Sequence, residues 1–377
     1  MKFVLLLSLC APLFAAAADE RIAKSIQESI AAHEVPGAVT LVATRGRVTY
    51  LRAFGQAGPA GSPALRKTSI FWIASMTKPI TGTAILMLQD EGKLNVNDLV
   101  GKYIPELANL KTPSGKAANL TLKHLMTHSS GLAEATDAES QAARKLSDLI
   151  PAYAGKPMQF EPGSKWQYCQ SGINTLGRII EVVSGLPYAE FLAARLFRPL
   201  GMKDTTFYLS AKQMARLVTP VKRESDGTFT ASAVSLLYGK PATSHEHFPA
   251  ANGGLFSTAA DYGQFARMIL NGGTLNGKRY LRPESVASMT SVQSGDLRTG
   301  FTPGNGWGLT WCVVREPQGV TAMLSPGTHG HGGAFGTQAW IDPKQGRVLI
   351  LMVQRSNFSN GDNSAVRLAF QQAATAE

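Results

Sequence analysis

The strand-like runs of this chain lie at its two ends, and neither group can bury an apolar face by itself. Near the N-terminus, "GAVTLVATRGRVTYLRAFG" reads as two β-rich runs turned at Arg45-Gly46. Near the C-terminus, "GWGLTWCVV" and "GTQAWIDPKQGRVLILMVQ", the latter turned at Asp342 to Gly346, supply two or three strands, and "SAVRLAFQQAA" closes as a helix. An isolated hairpin is marginal in water, so the two groups are expected to join in one antiparallel sheet. From Phe71 to about Leu217 the pattern turns helical: "LTLKHLMTHSSGL" and "NTLGRIIEVVSGLPYAEFLAARLFRPLGM" carry helical spacing with Gly and Pro stops. The expected architecture is α/β. An antiparallel sheet flanked by helices takes residues 19–70 and 250–377, and residues 71–249 form an inserted, mainly helical lobe, with a ligand cleft between the two. A first helix is expected at Arg21 to Ala32, whereas Val218 to Pro249 is turn-rich and carries no assignable element.

The opening "MKFVLLLSLCAPLFAAAADE" has one lysine, an apolar stretch through Phe14 and an Ala-rich end, the pattern of a secretory signal peptide over residues 1–18. The large Leu9 before Cys10 argues against lipid attachment there, so a periplasmic or secreted protein is expected. No later segment is apolar for long enough to span a bilayer. Cys169 and Cys312 are then the remaining thiols, which excludes a disulfide framework and leaves one bridge open. Loss of Lys2 takes the formal charge of +11 to +10, an excess that favours anionic substrates or envelope surfaces unless it is simply a solvated face. Nucleic acid is the weaker partner, since no aromatic-basic repeat is visible.

Three short stretches carry chemistry. In "FWIASMTKPITG", Ser75 and Lys78 stand three residues apart at the start of an apolar helix, so they share a face. A serine hydroxyl needs a base to become nucleophilic, and a lysine whose pKa is depressed by burial can be that base. Pro79 sits best in a first turn, which places the helix start at or just before Ser75; an ordinary helix with a snorkelling Lys78 is the plainer alternative. In "WQYCQSGINTLG", Tyr168 precedes a helix expected near Asn174; beside a lysine it is a candidate base as a partial phenolate, or else a packed aromatic. In "GTHGHGGAFGTQAWI", His331, Gly332, Gly333 and Ala334 precede an apolar strand, where glycines let a substrate approach a backbone amide; a Gly-rich turn reads equally well. His245-Glu246-His247 and the pair His329 and His331 lack a helix to align them as metal ligands.

In this order Ser75-Met76-Thr77-Lys78, Tyr168-Cys169-Gln170 and His331-Gly332-Gly333 resemble the three motifs of the serine β-lactamase and penicillin-binding-protein superfamily, nearest its class C-like branch with the family VIII carboxylesterases and D-aminopeptidases. "LTLKHLMTHSSGL", "FEPGSKWQYCQSGINTLGRIIE", "NGGLFSTAADYGQFARMILNGG" and "GWGLTW" extend the likeness over nearly the whole chain. The resemblance implies a serine hydrolase with no cofactor or metal. Ser75 is its nucleophile, Lys78 and Tyr168 its coupled proton carriers, the backbone amides of Ser75 and Ala334 its oxyanion hole, and Gln170, His331, Gly332 and Gly333 its substrate contacts. His331 stands where many β-lactamases have lysine, and Gln170 where asparagine is usual. Both departures favour a carboxylesterase on small or medium acyl esters over a β-lactamase, a D-Ala-D-Ala carboxypeptidase or a D-aminopeptidase. The substrate class is thus a small-molecule ester, a β-lactam or a short peptide. An α/β-hydrolase is excluded by the lack of a G-x-S-x-G elbow. A binding protein on a decayed fold is disfavoured because nucleophile, lysine and tyrosine are all present.

Overall fold

The computed structural model describes residues 10–300 and 302–376, with side chains from residue 16 onward. The leader expected at residues 1–18 therefore lies in good part outside the described residues. The helix expected from Arg21 is longer: α1 runs Cys10–Ala31, because the alanines at 15–18 continue it backwards.

The two terminal strand groups do form one sheet. Its strands are β1 (Gly37–Thr44), β2 (Val48–Gly55), β3 (Asn305–Trp307), β4 (Cys312–Val314), β5 (His329–Gly332), β6 (Gln338–Asp342) and β7 (Arg347–Met352). Their order is β2-β1-β7-β6-β5-β4-β3, antiparallel throughout, and the seam between the ends is β1 on β7, with Val39 opposite Met352 and Leu41 opposite Ile350. "GWGLTWCVV" is a hairpin of two short strands rather than one, since Thr310 turns with φ +70 between them.

Both faces of the sheet are covered, which is why "RVLILM" shows no polar alternation. Leu349 and Leu351 pack with Ile22, Ile26, Trp340 and Phe370 beneath α1 and the terminal helix (Ala365–Thr375). Val348, Ile350 and Met352 face Tyr262, Phe265 and Ala266 of the helix Ala259–Leu270 and merge with the apolar core of the helical region. That region is built around α2 (Thr77–Asp90) and α3 (Gln170–Ser184), which pack on each other. α2 is buried on nearly every side, and at Gly82 a Cβ would lie 2.0 Å from Thr310 Oγ1, so only glycine lets the helix approach the β3–β4 turn. α3 ends at Gly185 with φ 73, the left-handed cap that glycine adopts without strain. The turn-rich stretch after Val218 contains a small hairpin, Val221–Arg223 with Phe229–Ala231. No described helix is long and apolar enough to cross a membrane.

Candidate active site

Ser75 lies in a single 3-10 turn, Ala74–Met76, and the α-helix begins two residues later than the Pro79 argument suggests, at Thr77. The delay has a local cause. Ala74 has φ +45, a left-handed conformation that costs a non-glycine residue about 1 kcal/mol and turns the chain sharply before the serine. Several bonds hold that turn. Trp72 Nε1 donates to the Gly253 carbonyl at 2.7 Å, the Gln354 side chain donates to Trp72 O at 2.8 Å, and the Thr77 hydroxyl donates to Ala74 O at 2.7 Å.

Lys78 is fully buried, and its ammonium nitrogen lies 3.1 Å from Ser75 Oγ and 2.6 Å from the Asn252 carbonyl oxygen. Burial removes the water that would stabilise the cation, lowering this lysine from 10.5 to about 7, although Glu134 opposes the shift. The snorkelling alternative is therefore excluded. Nζ also stands 4.6 Å above the centre of the Tyr168 ring.

Tyr168 precedes α3 directly, because that helix begins at Gln170 rather than near Asn174. The first turn is capped by a group remote in sequence: the Glu134 carboxylate accepts from the amides of Gln170 at 2.5 Å and Ser171 at 2.8 Å, while Cys169 Sγ accepts from Gly172 N at 3.4 Å. Burial raises the Tyr168 phenol well above its ordinary value, with a hydrogen bond to Ser75 opposing this, so the ring is a neutral phenol at neutral pH and not the partial phenolate considered from sequence. His128, buried and at φ +57, accepts from Cys169 N through Nδ1 at 3.1 Å and packs against the Tyr168 ring, tilted by 37° with the ring centres 4.5 Å apart.

His331 is part of strand β5, paired with Ala339, and not of a turn before a strand. Its Nδ1 lies 2.6 Å from the Gly332 carbonyl, which can only accept, so the proton is on Nδ1 and Nε2 turns toward the Tyr168 hydroxyl at 3.5 Å. Desolvation, then the nearby Lys78, lower His331 to about 4. It is a neutral acceptor in the site and offers a substrate neither a cation nor a free N–H. Beyond it Gly333 N donates to Thr337 O at 2.7 Å, and a Cβ on Gly333 would lie 2.6 Å from Ile73 O. Glycine thus brings the end of β5, and Ala334 after it, against the segment leading into Ser75.

Ser75, Tyr168, Gln170, His331, Gly332, Gly333 and Ala334 line one cavity of about 420 Å³, together with Phe358, Asn360 and Asp362. Gln170 is not placed against Lys78; its Oε1 accepts from Asn252 Nδ2 at 2.9 Å. A second cavity of about 290 Å³ adjoins the first and shares Tyr168 and Gln170 with it. Asn252, Glu134 and His128 are thus functional neighbours that sequence reasoning did not single out, though "NGG" and "HSSGL" contain two of them. No described cluster of His, Cys, Asp and Glu is suited to a metal ion: His245 and His247 pack on Tyr208, and His329 Nδ1 bonds the Gly327 carbonyl at 3.1 Å. Cys169 and Cys312 are buried free thiols.

A model of the Beta-lactamase family matches residues 22–374. The chain is 32% identical over 359 residues to Protein Rv1367c of Mycobacterium tuberculosis, covering 88% of each, and 27% identical over 370 residues to Esterase EstB of Burkholderia gladioli, covering 90% of this chain and 91% of that one. The solved structure of EstCE1, described as a hydrolase with promiscuous acyltransferase activity, superposes with a TM-score of 0.82 at 21% identity, covering 97% of this chain and 100% of that one. The chain belongs to the Beta-lactamase family and is a serine hydrolase of that fold.

Proposed function

We propose that the protein is an exported carboxylesterase that works through an acyl-enzyme on Ser75. The observation that carries the reading is Lys78 Nζ at 3.1 Å from Ser75 Oγ, with burial holding the amine at about 7. Neutral Lys78 takes the serine proton as Oγ attacks the ester carbonyl. The carbonyl electrons move onto oxygen, which the amides of Ser75 and Ala334 receive; the first amides of a helical turn have no acceptor inside it. The intermediate collapses, the carbon–oxygen bond to the leaving group breaks, and the alcohol leaves with a proton delivered from Lys78 through the Tyr168 hydroxyl. Water then attacks the acyl carbon along the same proton path, releasing the acid and restoring Ser75 and Lys78.

The ester preference rests on what surrounds the nucleophile. A β-lactam or a C-terminal peptide brings a carboxylate, and here His331 is neutral with its N–H committed to Gly332, while Asp362 adds a negative charge to the wall. An ester needs only the nucleophile, the oxyanion site and an acyl pocket. Comparison of kcat/KM for p-nitrophenyl butyrate and a chromogenic cephalosporin tests this: the ester is expected to be the better substrate, and faster opening of the cephalosporin would refute it. Labelling by a fluorescent phosphonate that Ser75→Ala abolishes separates an enzyme from a binding protein. Export rests on the leader pattern at residues 1–18, checked by the mass of the mature N-terminus. The sheet lobe at 19–70 and 250–377 and the helical lobe at 71–249 belong to the same proposal.

A further inference from the structure

We propose that Glu134 is a positioning residue for the proton-transfer pair: it fixes Tyr168 and Lys78 relative to each other and supplies the anion against which the Lys78 ammonium forms. This rests on the acyl-enzyme reading and adds to it a residue that acts through the pair. The geometry runs through the first turn of α3. The Glu134 carboxylate takes the amide of Gln170 on Oε1 at 2.5 Å and that of Ser171 on Oε2 at 2.8 Å, so each oxygen holds one amide and the carboxyl group fixes how the helix starts. Tyr168 stands immediately upstream, and Cys169 between them is held from the other side by His128 Nδ1. From the same turn Gln170 Oε1 accepts from Asn252 Nδ2 at 2.9 Å, and the Asn252 carbonyl accepts from Lys78 Nζ at 2.6 Å. One carboxylate thus ties the segment that carries the phenol to the segment that holds the amine. Its own backbone is pinned, since Lys156 Nζ donates to the Glu134 carbonyl at 2.9 Å.

A neutral cap would satisfy those amides equally well, and the charge has a separate use. Glu134 and Cys169 are the groups that oppose the effect of burial on Lys78. Burial pushes the Cys169 thiol up to about 11 and raises the Tyr168 phenol, so both are neutral, and it holds His128 and His331 below the ordinary histidine range, so neither is a cation at neutral pH. Among these groups Glu134 is the anion. On its far side it faces Asp137, Tyr153 and Tyr238 across the second cavity, while Lys156 commits its ammonium to the Glu134 carbonyl and the Glu139 carboxylate. An anion beside a buried lysine favours the protonated form, so Glu134 and burial pull in opposite directions and the amine settles near neutrality instead of far below it. A base that titrates near the working pH is the most effective one.

The test is the pH dependence of two rates, labelling of Ser75 by a fluorescent phosphonate and kcat/KM for p-nitrophenyl butyrate, in the parent, Glu134→Gln and Glu134→Asp. In the parent both rise through about 7. Glu134→Gln removes the charge and leaves one acceptor for two amides. Loss of the anion disfavours the ammonium, so the limb is expected to move to lower pH by about 0.5 to 1, and kcat to fall roughly tenfold with KM changed by less than about twofold. Glu134→Asp keeps the charge on a side chain one methylene shorter, so it is expected to lose rate with the limb at the parent pH. Expressing rates per labelled Ser75 normalises for loss of folded protein. A limb at the parent pH in Glu134→Gln overturns the inference whatever the rate, because loosened packing lowers a rate without moving the pH at which it falls. Equal displacement of the limb in both variants overturns it as well. Should Glu134→Gln fail to fold, Glu134→Asp decides: a roughly tenfold lower kcat with an unmoved limb supports the inference, and the parent kcat overturns it. Failure of the acyl-enzyme reading is seen separately, as a parent with no labelled Ser75 or no limb near 7, and overturns both.

Discussion

Replacement of Lys78 by methionine is expected to stabilise the protein while removing most of its activity, and the stabilisation depends on pH in a defined way. In the fold this amine titrates at about 7 and in the unfolded chain at its ordinary 10.5, so between those limits the unfolded state binds more protons. Stability therefore rises with pH across that window, and the cost of burying the lysine is largest below it. The two values put the cost at about 4 kcal/mol near pH 7 and about 2 kcal/mol near pH 9. Methionine has a similar volume and no charge, so Lys78→Met removes the whole pH-dependent part. The hydrogen bonds it also loses, to Ser75 Oγ and Asn252 O, change the gap by an amount that is nearly independent of pH. The assay is urea unfolding of both proteins near pH 7 and pH 9, followed by tryptophan fluorescence. The stability difference between variant and parent is expected to shrink by about 2 kcal/mol over that range. Parallel stabilities at the two pH values would show that the amine is not depressed, and the argument for Lys78 as a base at neutral pH would fall with it.

The parent enzyme should show kcat/KM rising with pH through about 7, as Lys78 loses its proton, with the limb absent from the residual rate of Lys78→Met. Tyr168→Phe is expected to lower kcat by about 10² to 10⁴ with little change in KM, and near-full turnover would remove the phenol from the proton path. Gly333→Ala should lower kcat strongly, because the new Cβ would sit 2.1 Å from Thr337 Oγ1 and 2.6 Å from Ile73 O and must push apart the strands that place Ala334 beside Ser75; an unchanged rate would show that this contact does not set the oxyanion geometry. Gly82→Ala should destabilise by about 1 to 3 kcal/mol through overpacking against Thr310, read as a shift in the urea midpoint at unchanged slope.

Much of the architecture was legible because it follows from local pattern. Two strand-rich ends that cannot be buried separately must meet, and β1 on β7 is that meeting. The Ser75 and Lys78 spacing holds across the 3-10 turn and into α2, since neighbours three apart face each other in either kind of turn. The start of α3 was not legible. Its amides are satisfied by Glu134, more than thirty residues earlier, and no local signal announces a cap supplied from a distance. The same holds for His331, whose Gly-rich surroundings read as a turn until pairing with β6 makes them a strand.

By itself the sequence determined the fold class, the order of the elements and the residue types available for chemistry, because hydrophobic period, glycine and proline placement and short spacings act over a few residues. Only the tertiary structure decided the electrical state of those residues. Lys78 is near neutrality because burial against the Asn252 backbone and the Tyr168 ring excludes water from it, and His331 is neutral because its strand is buried. Burial and charge proximity are properties of the packed chain, and no stretch of sequence contains them.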